Sequence, residues 1–395
     1  MKSFVSSQPQ LLSQMNERMV LRILQANGPR SRAEVARLAG VTAPTVSKAV
    51  SSLLRSGMLE EFDSSETMRG RPAKRLRLAE DTAQVVGVVV DSPTCRIVTT
   101  GLDGRVGSGT HAEFKTPRTY AQLVEDIVEK ISALQLFGGV KTLGIGISMP
   151  GLFDSREGRS ILSPNVPITN DSCLGRDLSE RLGLECVVLQ ESDALCLAER
   201  HYGLARGVDD FAMLDASTGI GLGVLIGGRL VKGKSGLAGE IGHLPMVADG
   251  LECGCGRRGC LETIASDRAL ARLVSQRVGR EMSIEQIVEQ VRTGRLDVTA
   301  EWEAVERPLA FALVTTINLF NPQTLFVHSR MLDIDDAFFK RLIERTASMA
   351  LAPSFADCRI ERARGSKREG AVAGIIEHLT DARVSESHAH SVNVL

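Results

Sequence analysis

The chain has 395 residues, 43% hydrophobic and 24% charged, which is enough for two or three domains with sizeable cores. Its formal net charge is only −1, but it is unevenly spread: residues 1–80 hold 13 Lys and Arg against 7 Asp and Glu, and the other 315 hold 34 against 41. A basic head on an acidic body excludes a chain that is basic throughout and points to a polyanion partner for the head alone.

No apolar run of about 18 residues marks a membrane helix, and MKSFVSSQPQ lacks the apolar core of a signal peptide. A cytoplasmic protein with no membrane partner is the expectation. Of the eight cysteines, Cys95, Cys173, Cys186, Cys196 and Cys358 are scattered singly and read as small hydrophobes. The run CGCGRRGC brings Cys253, Cys255 and Cys260 together, too close for packing residues. In a reducing compartment such a cluster holds a metal or stays as free thiols.

Along the chain, MNERMVLRILQA (15–26) places Met15, Met19, Ile23 and Leu24 on one helical face, and Asn27-Gly28-Pro29 ends that helix. Ser31 and Glu34 form a capping box before a short helix carrying Val35 and Leu38. Gly40 suits a left-handed turn, and Thr42 and Pro44 start a second helix with Val46, Val50, Leu53 and Leu54 inward. This is helix-turn-helix grammar. Thr45, Ser47 and Lys48 are left on the outer face, where they suit bases and phosphates of a major groove. A hairpin follows, with strands at Met58–Phe62 and near Arg75–Leu78. Its tip carries Arg69 and Arg71, which suit a narrow minor groove. Residues 1–80 therefore read as a winged helix-turn-helix that binds double-stranded operator DNA.

From about residue 85 the pattern becomes β-hairpins followed by alternating helices and strands, given twice. Two similar α/β lobes are expected, at 81–205 and 206–375, with a ligand cleft between them. Residues 376–395 read as a helix end and a partly disordered tail; its His388 and His390 are not taken as metal ligands. No Walker-type G-x4-GK[ST] occurs, and the G-x-G-x-G of STGIGLGV is by itself weak evidence of phosphate binding.

The run LAGEIGHLPMVADGLECGCGRRGCLETIAS resembles the signature of the ROK family of repressors, uncharacterised reading frames and sugar kinases. Further matches, in the family's order over about residues 85–375, are ISMPGLFDSREGRSILSPNVP, ESDALCLAE, STGIGLGVLIGGRLVKGKSGLAGEIGH and NLFNPQTLFV. The winged head resembles that of the family's transcription regulators. The resemblance implies an actin-like, hexokinase-like two-lobed α/β fold with sugar in the cleft. It makes His243, Cys253, Cys255 and Cys260 ligands of a structural zinc; one imidazole and three thiolates form a closed tetrahedral set. It makes Asn165, Asp193, Glu240, His243 and Glu262 sugar contacts, with His243 using its second ring nitrogen.

The same resemblance exposes departures. The kinases' D-x-G-G-T is here Asp91-Ser92-Pro93-Thr94, their G-T-G is Ser217-Thr218-Gly219, and a late glycine pair is His328-Ser329. Asp193 occupies the position of the kinases' base, but its neighbours are Ser192 and Leu195. These changes fall on the nucleotide side, so no enzyme activity is expected. The reading is a sugar-responsive regulator, a repressor acting as a homodimer or homotetramer on carbohydrate genes and answering to a sugar or sugar phosphate. The alternative is a sugar kinase that carries a DNA-binding head.

Overall fold

The structure, a computed structural model, describes residues 7–63, 74–106, 111–138 and 140–381. Arg69 and Arg71 at the expected wing tip, and His388 and His390 in the tail, lie outside the described residues. The chain divides into two compact units: Met1–Ile147 with Gly175–Val188 and Ala371–Leu395, and Ser148–Leu174 with Leu189–Gly370. These units interleave in sequence, unlike the contiguous lobes expected at 81–205 and 206–375. Residues 148–174 and 189–205 group with the second unit.

The head has α1 (Ser7–Asn27), α2 (Arg32–Ala39), α3 (Ala43–Ser56), β1 (Leu59–Asp63) and β2 (Lys74–Leu78). The Ser31 hydroxyl accepts the Glu34 N–H while the Glu34 carboxylate accepts the Ser31 N–H, closing the capping box. Gly40 caps α2 at φ +67°, a conformation that a side chain with a Cβ rarely adopts. Val20, Leu21, Leu24, Val35, Val46, Val50, Leu53 and the wing's Leu76 form the core of the head.

Two expectations about this core fail. Met15 is 54% exposed and Leu38 48% exposed. The buried line of α1 runs Glu17, Val20, Leu21, Leu24, at offsets of three, four and seven residues; Met15, two residues before Glu17, falls on nearly the opposite side. α2 is two turns long and buries only Val35.

The core of the head continues past the expected boundary at residue 80. Ala79, Ala83 and Leu102 belong to it, the Ala79 N–H donates to Met58 O, and the Leu102 N–H donates to Ala79 O. Arg77 pairs with Glu60, Glu80 and Asp81 across the same join.

Next come β3 (Ala83–Val89), β4 (Thr94–Thr100), β5 (His111–Lys115), α4 (Tyr120–Gly138), β6 (Lys141–Met149), the small hairpin β7 (Leu152–Asp154) and β8 (Arg159–Leu162), α5 (Leu174–Leu182) and β9 (Glu185–Gln190). The second half begins with α6 (Glu191–His201), β10 (Phe211–Asp215), β11 (Gly221–Ile226), β12 (Arg229–Leu230), α7 (Glu262–Ala265) and α8 (Asp267–Val278). It continues with α9 (Ile284–Arg292), α10 (Thr299–Phe320), β13 (Thr324–His328), α11 (Asp336–Met349), α12 (Ala352–Asp357), β14 (Arg359–Arg362) and α13 (Lys367–Asp381).

Two five-stranded sheets result, β5-β4-β3-β6-β9 and β12-β11-β10-β13-β14. Counting only sheet strands, both follow one plan: third, second, first, fourth, fifth. The repeat read from the sequence is thus present in the topology. In the second sheet β10 pairs antiparallel with β11 and parallel with β13, and the helices between them supply the crossover. Behind it Trp302 is fully buried and stacks on Phe338, with centroids 4.7 Å apart. The fold thereby brings the last residues of β10 and β13, the N-terminus of α6 and the long β12–α7 connection within one unit.

Candidate ligand pocket and metal cluster

A polar pocket lies wholly within the second unit. Its polar side chains include Asn165, Gln190, Glu191, Asp215, Glu240, His243, Glu262 and Arg268, and it encloses about 660 Å³ including its open mouth. Four of the five expected sugar contacts, Asn165, Glu240, His243 and Glu262, line it together. They come from the loop after β8, the turn at Glu240–His243 and the start of α7.

Asp193 does not line it. It is 7% exposed, and its Oδ2 lies 2.5 Å from Lys232 Nζ. Successive residues of a helix rotate by about 100°, so Glu191 and Ser192 meet the pocket and Asp193 turns toward Lys232.

Each carboxylate is held. Gln190 Nε2 donates to Glu240 Oε1 at 2.8 Å. Burial pushes the Glu240 carboxyl up to about 7; Gln190 opposes this, and Glu262 and Asp193 add to it. Glu262 Oε2 accepts the Ile220 N–H, and a Cβ on Gly219 would lie 2.7 Å from it. The glycine turn between β10 and β11 therefore serves to admit a carboxylate. Arg268 Nη2 donates to Asn165 Oδ1 at 3.0 Å.

The ligand atoms of His243, Cys253, Cys255 and Cys260 all lie within 4.8 Å of one another. Cys255 Sγ and Cys260 Sγ are 3.7 Å apart, and Cys253 Sγ is 3.6 Å from His243 Nδ1. A tetrahedral ion with metal–sulfur bonds of about 2.3 Å and a metal–nitrogen bond of about 2.0 Å places its ligand atoms roughly 3.5–3.8 Å apart. The set fits such an ion, and zinc is compatible with its chemistry.

The loop's backbone makes this approach possible. Cys253 N–H donates to Arg257 O, Gly256 N–H donates to Cys253 O, and Pro245 pairs with Cys260 in an isolated bridge. Gly259, at φ +70°, sits where a Cβ would lie 1.8 Å from Val247 O. His243 turns Nδ1 to the cysteines, and its Nε2 lies 3.7 Å from Glu240 Oε2 at the pocket.

A second knot forms where the sequence departs from the kinases. His328 Nδ1 donates to Asp215 Oδ1 at 2.9 Å. Burial works against both charges, but each holds the other: the His328 pKa is raised and that of Asp215 is lowered. Asp267 accepts from the Ser329 hydroxyl and from the N–H groups of Arg330 and Met331. Lys367 Nζ lies 2.6 Å from Glu191 Oε1. The donors at the end of β13 are thus taken by the protein's own carboxylate.

In the head, α3 buries Val46, Ala49, Val50 and Leu53, and Lys48 is exposed. Thr45 and Ser47 are half-buried, and Thr45 Oγ1 lies 2.9 Å from Thr42 Oγ1. Gln190, Glu191, Asp215 and Arg268 escaped the sequence reading. Gln190 adjoins ESDALCLAE and Glu191 opens it, a signal for searching there; nothing local marks Arg268, 103 residues from its partner Asn165.

The ROK family profile matches residues 92–377, and a winged helix-turn-helix DNA-binding profile matches 16–60. The xylose repressor of Bacillus subtilis (strain 168) is 26% identical over 324 residues, covering 82% of this chain and 84% of that one. The DNA-binding transcriptional dual regulator NagC of Escherichia coli (strain K12) is 26% identical over 344 residues, covering 82% of each. A solved ROK family transcriptional regulator, a homolog of the E. coli MLC protein, superimposes with a TM-score of 0.81 at 23% identity, over 95% of this chain and 100% of that one. A solved ROK hexokinase from Thermus thermophilus also matches, with a TM-score of 0.61 at 28% identity, over 75% of this chain and 98% of that one. The chain belongs to the ROK family, and carries that family's domain behind a winged helix-turn-helix DNA-binding head.

Proposed function

We propose that the protein is a sugar-responsive transcriptional repressor. Its winged heads, paired in a homodimer or homotetramer, bind a two-fold operator in the cytoplasm. Thr45, Ser47 and Lys48 meet the major groove, and Arg69 and Arg71 the minor groove. A sugar or sugar phosphate binds the pocket through Asn165, Glu240, His243 and Glu262, whose carboxylates and amide suit vicinal hydroxyls. Zinc, when bound by His243, Cys253, Cys255 and Cys260, supplies rigidity to the loop between Glu240 and Glu262. The chain's own side chains do the recognition.

The observation that carries this reading is a pocket lined by two glutamates, an asparagine and a histidine in a chain that also carries a DNA-binding head. Against kinase activity stand Asp267, which takes the donors at residues 329–331, and Lys232, which pairs with Asp193. A thermal-shift screen of zinc-loaded protein tests the reading, with D-xylose, N-acetylglucosamine, their phosphates and ATP as probes. The expected outcome is a rise in Tm with a sugar or sugar phosphate and none with ATP. Sugar-dependent ADP release would overturn it in favour of the kinase.

A further inference from the structure

The residues of one helix are divided between the two units. α13 runs without a break from Lys367 to Asp381; its first four residues belong to the second unit and the rest to the first.

Within the second unit, α6 holds its start. Lys367 Nζ lies 2.6 Å from Glu191 Oε1, with only 14% and 15% of the two side chains exposed. Glu199, fully buried, accepts the N–H groups of Arg364 and Gly365 at 2.8 and 2.7 Å. A Cβ on Gly365 would lie 2.7 Å from that of Ala198, and one on Gly370 would lie 2.2 Å from Ala194 O. The same helix α6 lends Glu191 and Ser192 to the pocket.

Within the first unit the remainder of α13 is packed just as closely. A Cβ on Gly146 would lie 1.8 Å from Ala371 O, and one on Gly144 would lie 2.7 Å from Ile375. Val372, Ile375 and Ile376 form a buried cluster with Val85 and Val98. Leu379 packs against the cluster that holds Leu24, Leu53 and Leu76 of the winged head.

We propose that α13 carries the state of the pocket to the DNA-binding head, with Lys367 and Glu191 as the positioning pair at its pocket end. The proposal rests on the reading of the pocket as a ligand site and adds the route by which the head senses it. A hydroxyl-bearing ligand competes with Lys367 for the Glu191 carboxylate and so alters the grip of α6 on the first turn of α13. Close-packed glycine contacts at both ends leave little slack, so a shift of the first turn is passed along the helix rather than absorbed. Coupling of this kind requires that the ligand favour one arrangement of the pair over the other.

Hydrogen exchange of the full-length protein, read by mass spectrometry, tests this without any ligand. Lys367→Met is expected to raise exchange about threefold or more in α6 and also in head segments 20–24 and 76–79. Lys367→Arg, which keeps the pair, is expected to behave as wild type. Glu191→Gln, close in shape, gives the same comparison if Lys367→Met does not fold. A change confined to 191–201 and 364–370 overturns the proposal. A second arm adds D-xylose or N-acetylglucosamine 6-phosphate to wild type. Protection of the pocket segments with an unchanged head also overturns the coupling. Protection nowhere speaks against the sugar reading alone, because the variants still decide the coupling.

Discussion

The winged head and the polar pocket are built in opposite ways. The head is assembled from neighbours: Ser31 with Glu34 three residues on, Gly40 at the turn, and Val46, Val50 and Leu53 along one face of one helix. The pocket is assembled from strangers, with Asn165, Gln190, Asp215, Glu240, Glu262 and Arg268 spread over about a quarter of the chain. A structure made of local rules fails gradually when one rule is broken. A site made of distant residues depends on the few connections that hold them, here a His/Cys cluster able to hold a metal on one side and an ion pair on the other.

The largest test of that contrast removes the metal cluster. Cys255→Ser is expected to abolish stoichiometric zinc, measured by atomic absorption, and to cost on the order of 4 kcal/mol under zinc-replete conditions. Unfolding that is unchanged by this substitution and by a chelator would mean that the loop stands without metal.

The ion pair comes next. His328→Ala leaves Asp215 buried without its ion-pair partner and held by the Ser217 N–H and the field of Lys367, at an expected cost of about 3 kcal/mol in denaturant unfolding. Its pH dependence has a defined sign. The pKa of His328 is raised by Asp215, against burial and against Lys367, with Asp267 adding to the rise. The His328 contribution is therefore complete below about pH 6.5 and is lost as pH rises through the raised folded value. The Asp215 value is lowered, so its share is present above about pH 3.8 and is lost as pH falls. Wild type minus His328→Ala should shrink from pH 6 to pH 9; a flat difference would remove the ion pair as the cause.

In the head, Ser31→Ala breaks one capping box and should cost about 1 kcal/mol. The smallest effect is expected at Leu38, one of the two residues expected in the core and found exposed. Leu38→Gln, 48% exposed, should change stability by less than about 0.5 kcal/mol. A loss of 2 kcal/mol or more there would restore Leu38 to the core and undo the local description of the head.

What the sequence determined was whatever rests on spacing and on residue chemistry carried in one stretch. The capping box, the left-handed Gly40, the wing strands, the twice-given α/β plan and the CGCGRRGC loop were all legible, because periodicity, turn geometry and thiol spacing act over a few residues; His243, ten residues before Cys253, joined that loop only through the family resemblance. The exposure of Met15 and Leu38 was not, since which flank of an amphipathic helix is covered depends on what packs against it. Asp193 shows the same limit: the aspartate stands where the kinases have their base, yet Lys232, 39 residues away, claims its carboxylate. Gln190 on Glu240, Arg268 on Asn165 and Asp267 on residues 329–331 are partnerships across tens of residues. Only the tertiary structure decides them, because a hydrogen bond depends on distance in space and leaves no period in the chain.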